Sequence, residues 1–401
     1  MIASNPEQQS ESRQPSHTVQ ILGFTYVKGP KVAMIHLVVL AVVDWAMRLI
    51  LGRERPAPTP NLEGKSLAIA KIDLLGDVLM ITPLLRELRV QSPGTKLLLV
   101  VGSWSLEAAR LILDEGLCDS TIVYDPPTMS PARISWFQKI KQWLQTLRTA
   151  RTELRQHKVD VYLELRSSSP NSLLLARLAG VRHKIGYALR GYSYILQQAL
   201  PYDGTTPMGQ QYLNVLAMLG LQPARYEKPV LHWLGDRESP DWIPSQPDYL
   251  VLHPFSRNSR KMIPAAWWEQ MLAPIAAGRS ILVLGTRGDL EQHELISVLS
   301  AAGCDLSAVG RTTFREATTC VRGAAAFIGV DSVFAHVALA FDKPAFVAAV
   351  AGASYRLAFP SENPNLFYHE VDLSSFTPDS SASVMQEYRD RITLDLHPAH
   401  A

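Results

Sequence analysis

The chain has 401 residues, 47% of them apolar and 19% charged, a globular composition that excludes wholesale disorder or a long coiled coil. Its length points to two domains or more, and a net charge of only +2 means that local cation clusters must supply any anion binding, with no nucleic acid partner called for. Cys118, Cys304 and Cys320 form no CxxC pair or Cys/His cluster, which argues against a disulfide framework or structural zinc and fits a reducing compartment.

In chain order, residues 1–20 carry no secretory signal and read as a polar, disordered lead. Val32 to Leu51 is apolar and long enough to cross a bilayer, but His36, Asp44 and Arg48 interrupt it. Asp44 and Arg48, four apart, are expected to pair on one helical face. Lys28, Lys31, Arg48, Arg53 and Arg55 flank the stretch, and Trp45 suits a membrane interface. Three readings stand open: an interfacial helix, a helix packed on the protein, and a true span. The first implies peripheral inner-membrane association through residues 28–55, with the chain cytoplasmic and at the cytoplasmic face of that membrane.

The Pro-rich hinge Pro56 to Pro60 cannot continue the helix. After it, short apolar runs predict strands at Leu67–Ile72, Leu97–Val101, Thr121–Tyr124 and Asp160–Leu165. Helical patterns lie between them at Val78–Val90, Ser105–Asp114, Trp136–His157 and Ser172–Leu178, with Gly180 as a C-cap. A Pro- and Gly-containing stretch at 233–248 reads as a linker. The alternation then restarts, with strands at Tyr249–His253, Ser280–Leu284, Leu306–Val309, Ala326–Val330 and Pro344–Val350. Helices are expected at Trp267–Ala277, Leu290–Ala302, Phe314–Arg322 and Ala335–Phe341. Residues 356–401 look less regular, with one last helix at Val384–Arg391. The organisation is thus a 1–60 leader, a 61–232 domain, the linker, a 249–355 domain and a 356–401 tail. Each domain is an α/β unit whose parallel sheet is covered on both faces, and the two Rossmann-like units face one another across a cleft.

Three segments stand where a strand runs into a turn and then a helix. In the first, Lys71-Ile-Asp73-Leu-Leu-Gly76-Asp77, the carboxylate of Asp77 is either a helix cap or a general base for an acceptor hydroxyl. In the second, His253 to Pro264, the cations Arg257, Arg260 and Lys261 form either a solvated loop or a diphosphate clamp, with Ser256 beside them. In the third, Asp331-Ser332-Val333-Phe334-Ala335-His336, the helix start is either a capped junction or an anion site. There Asp331 is placed to orient sugar hydroxyls.

With Asp160 to Ser167 and Leu178 to Tyr187, the order and spacing of these segments resemble the heptosyltransferase (GT9-like) family of GT-B glycosyltransferases, from about Lys65 to about Val350. The resemblance implies inverting, metal-independent transfer, commonly of heptose from ADP-heptose to the lipopolysaccharide inner core, with no cofactor. Its partners are a nucleotide-diphosphate sugar donor and a glycolipid or glycan acceptor. It makes Asp77 the candidate base and Lys261 the phosphate partner, joined by Arg257 or Arg260. Asp331 falls against the donor sugar, and Ser332, Val333 and His336 belong to the segment at the diphosphate, with Ser256 beside the phosphates. Gly285, Glu291, Thr312 and Phe314 fall near the nucleoside. The chain departs from the family at Val333, where Gly is usual, at Ile263, where Trp is usual, and at Glu164, where Asp is common. Two rivals stay open: a nucleotide-sugar epimerase on the same fold, and a catalytically altered nucleotide-sugar binding protein, the latter suggested by Val333 and the apolar leader. No Asp-x-Asp pair occurs, so no carboxylate-held metal is evident.

Overall fold

The structure, a computed structural model, describes residues 17–28, 34–58, 61–129, 134–166, 172–189, 193–232, 249–272, 275, 280–353, 356–373 and 386. The expected linker at 233–248, residues 1–16 of the lead and, apart from Gln386, the expected helix at Val384–Arg391 lie outside the described residues.

The leader differs from its reading as a disordered lead, because residues 17–20 belong to a strand. Strands β1 (His17–Ile21) and β2 (Phe24–Lys28) pair antiparallel through a turn at Leu22 and Gly23. Both turn residues have positive φ, 51° and 78°, which matches the twist of a tight hairpin. Helix α1 (Met34–Leu51) follows and buries Leu37, Ala41 and Asp44, which share one face, beside Phe24 and Tyr26. Asp44 accepts a 2.6 Å hydrogen bond from the Tyr26 hydroxyl, so the expected Asp44–Arg48 pair does not form. The opposite half of α1 is apolar and uncovered: Ile35, Val39, Val43, Leu49 and Ile50 are each 51–75% exposed. Among the described residues no helix is long and apolar enough to cross a membrane, which removes the spanning reading.

The first domain runs β3 (Ser66–Ala70), α2 (Leu75–Leu79), α3 (Thr82–Gln91), β4 (Lys96–Val101), α4 (Leu106–Asp114), β5 (Ser120–Val123), α5 (Trp136–Gln156) and β6 (Val161–Glu164). It continues with α6 (Ser172–Ala179), β7 (His183–Tyr187), β8 (Gln198–Leu200), α7 (Met208–Leu213) and α8 (Val215–Met218). Its six strands are parallel, in the order β5-β4-β3-β6-β7-β8. The chain starts in the middle of that sheet and later returns to the other side of β3. The crevice between the ends of β3 and β6 is therefore the switch point where such sheets bind ligands.

One helix was expected at Val78–Val90, but α2 and α3 are separate. The Thr82 hydroxyl donates to the Leu79 carbonyl at 2.7 Å, and Pro83, with no N–H to donate, suits the first turn of a new helix. Gly180 ends α6 with φ +82°, as expected of a C-cap.

The second domain runs β9 (Leu250–His253), α9 (Ala265–Leu272), β10 (Ile281–Val283), α10 (His293–Ala301), α11 (Phe314–Gly323) and β11 (Ala326–Val330). It ends with α12 (Val333–Ala340), β12 (Ala345–Val350) and β13 (Leu366–Val371). The parallel order is β10-β9-β11-β12-β13, with its switch point between β9 and β11. Two expectations fail here. Leu306–Val309 is a turn, because the Asp305 carboxylate accepts from Ser307 N at 2.8 Å and leaves only an isolated bridge to Leu282. The tail is more regular than expected, since β13 lies within 356–401 and completes the second sheet.

One apolar cluster joins the two domains. Val78, Leu79, Leu84 and Ala108 from the first share it with Phe314, Phe334, Val337, Leu339 and Phe359 from the second. Helix α12 is apolar nearly all round and buried from Phe334 to Ala340, as its position between a sheet and a neighbouring domain requires.

Candidate functional site

The two switch points face each other where α2 packs on α12. Gly76 makes the approach close: a Cβ there would lie 3.0 Å from His336 Cδ2 and 3.5 Å from Val333 Cα. Asp77, the next residue, is half-buried in the first turn of α2, and its Oδ2 accepts from Leu74 N at 3.3 Å. This bond is the capping contact expected of a carboxylate in a helix's first turn. Burial raises its pKa, Lys71 opposes that rise, and Asp73 adds to it.

Around Asp77 stands a set of charges that spacing alone did not single out. Lys71 has no exposed surface and bonds Asp73 at 2.5 Å, with its ammonium 4.8 Å from the Tyr212 ring centroid. Arg166, from the end of β6, also pairs with Asp73 and donates to Ile72 O at 2.7 Å. Burial penalises the Lys71 charge, yet Asp73, Tyr212 and Asp77 outweigh it and raise the pKa. Glu164 is buried, accepts from Ser172 and, at 3.1 Å, from Arg166 N, and burial pushes its pKa up to about 7.

On the facing wall, Lys261 closes a short 3-10 turn after β9 and bonds Asp331 at 2.6 Å. Asp331 is buried at the end of β11, and Ser332 is the N-cap of α12 in extended backbone. Ser256 accepts from Asn258 N at 3.2 Å within the same loop, while Arg257 and Arg260 stand in solvent. Val333, half-buried, opens α12 against Gly76. His336 is buried, its ring stacked 4.6 Å from Phe359, and burial lowers its pKa to about 4, so the imidazole is neutral.

The remaining expected contacts gather beside β9. Gly285 follows β10 and takes a 2.9 Å hydrogen bond from Gly310 N, which draws the 285–291 and 310–314 segments together. A Cβ on Gly285 would lie 2.9 Å from the Phe255 ring, so glycine is needed for this packing. Glu291 is exposed at the end of its 3-10 turn, and Thr312 is half-buried. Phe314 is buried with its ring centroid 6.0 Å from that of Phe334. His253 was not singled out as a site residue, yet its Nδ1 lies 3.1 Å from the Ser332 hydroxyl and its ring 5.0 Å from Phe334. Burial lowers its pKa to about 4. Its place at a strand end, in a segment already rich in cations, was the available signal. Among the described residues no group of three or more His, Cys, Asp or Glu could hold a metal ion.

The model of glycosyltransferase family 9 (heptosyltransferase) matches residues 147–354, more than half of the chain. Among solved structures, E. coli ADP-heptose lps heptosyltransferase II is similar, with TM-score 0.63, 18% identity, and 83% of this chain and 100% of that chain covered. E. coli heptosyltransferase WaaC with ADP gives TM-score 0.61 and 17% identity over 80% of this chain and 99% of that chain. A glycosyl transferase family 9 protein from Veillonella parvula DSM 2008 gives TM-score 0.61 and 17% identity over 83% and 91%. These likenesses carry the two-domain GT-B fold. No curated protein sequence matches at a significant level.

Proposed function

The chain belongs to glycosyltransferase family 9 (heptosyltransferase), and from that premise we propose that it is an inverting, metal-independent enzyme moving heptose from ADP-heptose to a lipopolysaccharide-core or related glycolipid acceptor. One observation carries the reading. The contact of α2, which bears Asp77, with α12, which begins just after Asp331 and its partner Lys261, supports it.

In this mechanism the acceptor hydroxyl attacks the anomeric carbon from the side of the first domain. Asp77 takes its proton as the new bond forms. The bond to the nucleotide diphosphate breaks on the opposite side, and the leaving group keeps the electron pair. Lys261, with Arg257 and Arg260, and the amides at the start of α12 then meet the charge growing on the phosphates. Donor binding would release Lys261 from Asp331, freeing that carboxylate for sugar hydroxyls. Neutral His253 would fix the Ser332 hydroxyl toward the diphosphate. Gly285, Glu291, Thr312 and Phe314 would form the nucleoside end.

The test is incubation of the full chain with ADP-heptose and a heptose-free lipopolysaccharide core, with NMR of the product. A glycoside of inverted anomeric configuration is expected. Retained configuration, or conversion of the donor without acceptor, would defeat the proposal, the latter in favour of an epimerase.

The same reading includes attachment to the cytoplasmic face of the inner membrane through residues 28–55. The uncovered apolar half of α1 supports it, with exposed Arg53 and Arg55 just beyond its carboxyl end. Full-length protein should sediment with phosphatidylglycerol vesicles and lose that binding on Val39→Glu with Val43→Glu. Equal sedimentation of both proteins would remove the attachment and leave the transferase reading untouched.

A further inference from the structure

A largely enclosed group of charges acts electrostatically on Asp77. Its members are Lys71, Asp73 and Arg166, and none was assigned a role above. Lys71 is wholly enclosed, and Asp73 and Arg166 are only 16% and 20% exposed at the side chain. Each Asp73 oxygen takes one cation, Oδ2 from Lys71 and Oδ1 from Arg166. The Asp73 carbonyl is held as well, by the Trp104 indole at 2.9 Å. A buried ion pair is weak evidence for stability, since desolvation offsets most of its attraction. Enclosing two cations on one carboxylate next to a candidate base calls for another explanation.

We propose that Lys71 and Arg166 act through Asp73 as a positioning triad, which keeps Asp77 ionised without capping it by a contact ion pair. The inference rests on the reading of Asp77 as base. With Asp77 included, the group carries two positive and two negative charges and balances. Asp73 occupies both cations at contact distance, so Asp77 receives their field while its own hydrogen-bond donor is the Leu74 amide and not a cation. A direct salt bridge would instead block the lone pairs of Asp77 and depress its basicity.

The other groups facing Asp77 leave this balance intact. Tyr212 of α7 lies against Lys71, and His336 of α12, beside Gly76, is neutral. Helix α4 meets α2 through the apolar cluster of Ala108, Ala109 and Ile112 with Val78 and Leu79. Buried Glu164, with its raised pKa, adds less than a full third negative charge near neutrality.

The test is a 13C NMR titration of aspartate carboxyls in the full-length chain, with the Asp77 signal identified by its loss in Asp77→Asn. Lys71→Met should raise the Asp77 midpoint by about one pH unit, and Asp73→Asn should lower it, because a freed cation can then pair with Asp77. Arg166→Gln, at a less buried site, should move the midpoint in the same direction as Lys71→Met and serves if that variant does not fold. The acidic limb of the kcat profile with ADP-heptose should follow each shift. A purely structural role would not produce shifts of opposite sign. Midpoints that stay put, or that all move one way, overturn the triad. Full turnover in Asp77→Asn would instead overturn the base assignment, while the titration would still report on the triad.

Discussion

The two walls of the crevice share a plan and differ in how they hold charge. Each is a switch point in a parallel sheet, with a strand end, a turn and a helix start. On the first wall the cations are enclosed and paired: Lys71 has no exposed surface, and Arg166 shares Asp73 with it. On the second wall Arg257 and Arg260 stand in solvent, and only Lys261 is tied, to Asp331. An enclosed set keeps its geometry whether or not a ligand is present. An open set is completed by the anion it receives. The proposed function assigns proton transfer to the preorganised wall and phosphate capture to the adaptable one.

Exchanging the loss between walls is the sharpest way to break that comparison. Asp77→Asn should lower turnover by about 10²- to 10⁴-fold, the range for losing a general base, and leave ADP affinity nearly unchanged. Lys261→Ala should weaken ADP binding by about 1.5–3 kcal/mol, the value of a hydrogen bond to a charged group, seen as a higher Kd in calorimetry. If both substitutions weaken ADP binding equally, the walls do not divide the work.

A smaller effect concerns Glu164. Its folded pKa of about 7 lies above the unfolded value of 4.5, so the native state holds a proton that the unfolded chain has released between those values. Stability attributable to this group is full below 4.5 and declines as pH rises toward 7. Glu164→Gln should flatten that decline and raise Tm at pH 8 relative to wild type. An unchanged slope of Tm against pH would remove the assignment.

Much of this architecture was legible in the chain, and the failures have physical causes. Strands such as Leu97–Val101 stood out because both faces of a central parallel strand are covered, which leaves an uninterrupted apolar run. The three-residue β8 and the half-exposed β13 lie at sheet edges, where that pressure is absent, and neither was found. Leu306–Val309 misled for the opposite reason, since Ala308 and Val309 are buried although the backbone turns. The site shows the same divide. Asp77, Lys261 and Asp331 lie in continuous segments with a readable strand-turn-helix order. The Asp73–Arg166 pair joins residues 93 apart, and His253 reaches Ser332 over 79, so no local spacing betrays either. The α1 pairing failed because Tyr26, from a hairpin not foreseen, claimed Asp44 first.

The apolar cluster shared by the two domains bears on how the molecule comes apart. Severing the chain between residues 232 and 249 would strip Phe314, Phe334 and Phe359 of neighbours such as Val78 and Leu84. Each fragment would then show water a greasy flank. Melting should accordingly register in a calorimeter as one endotherm, with neither half surviving as a separately folded piece.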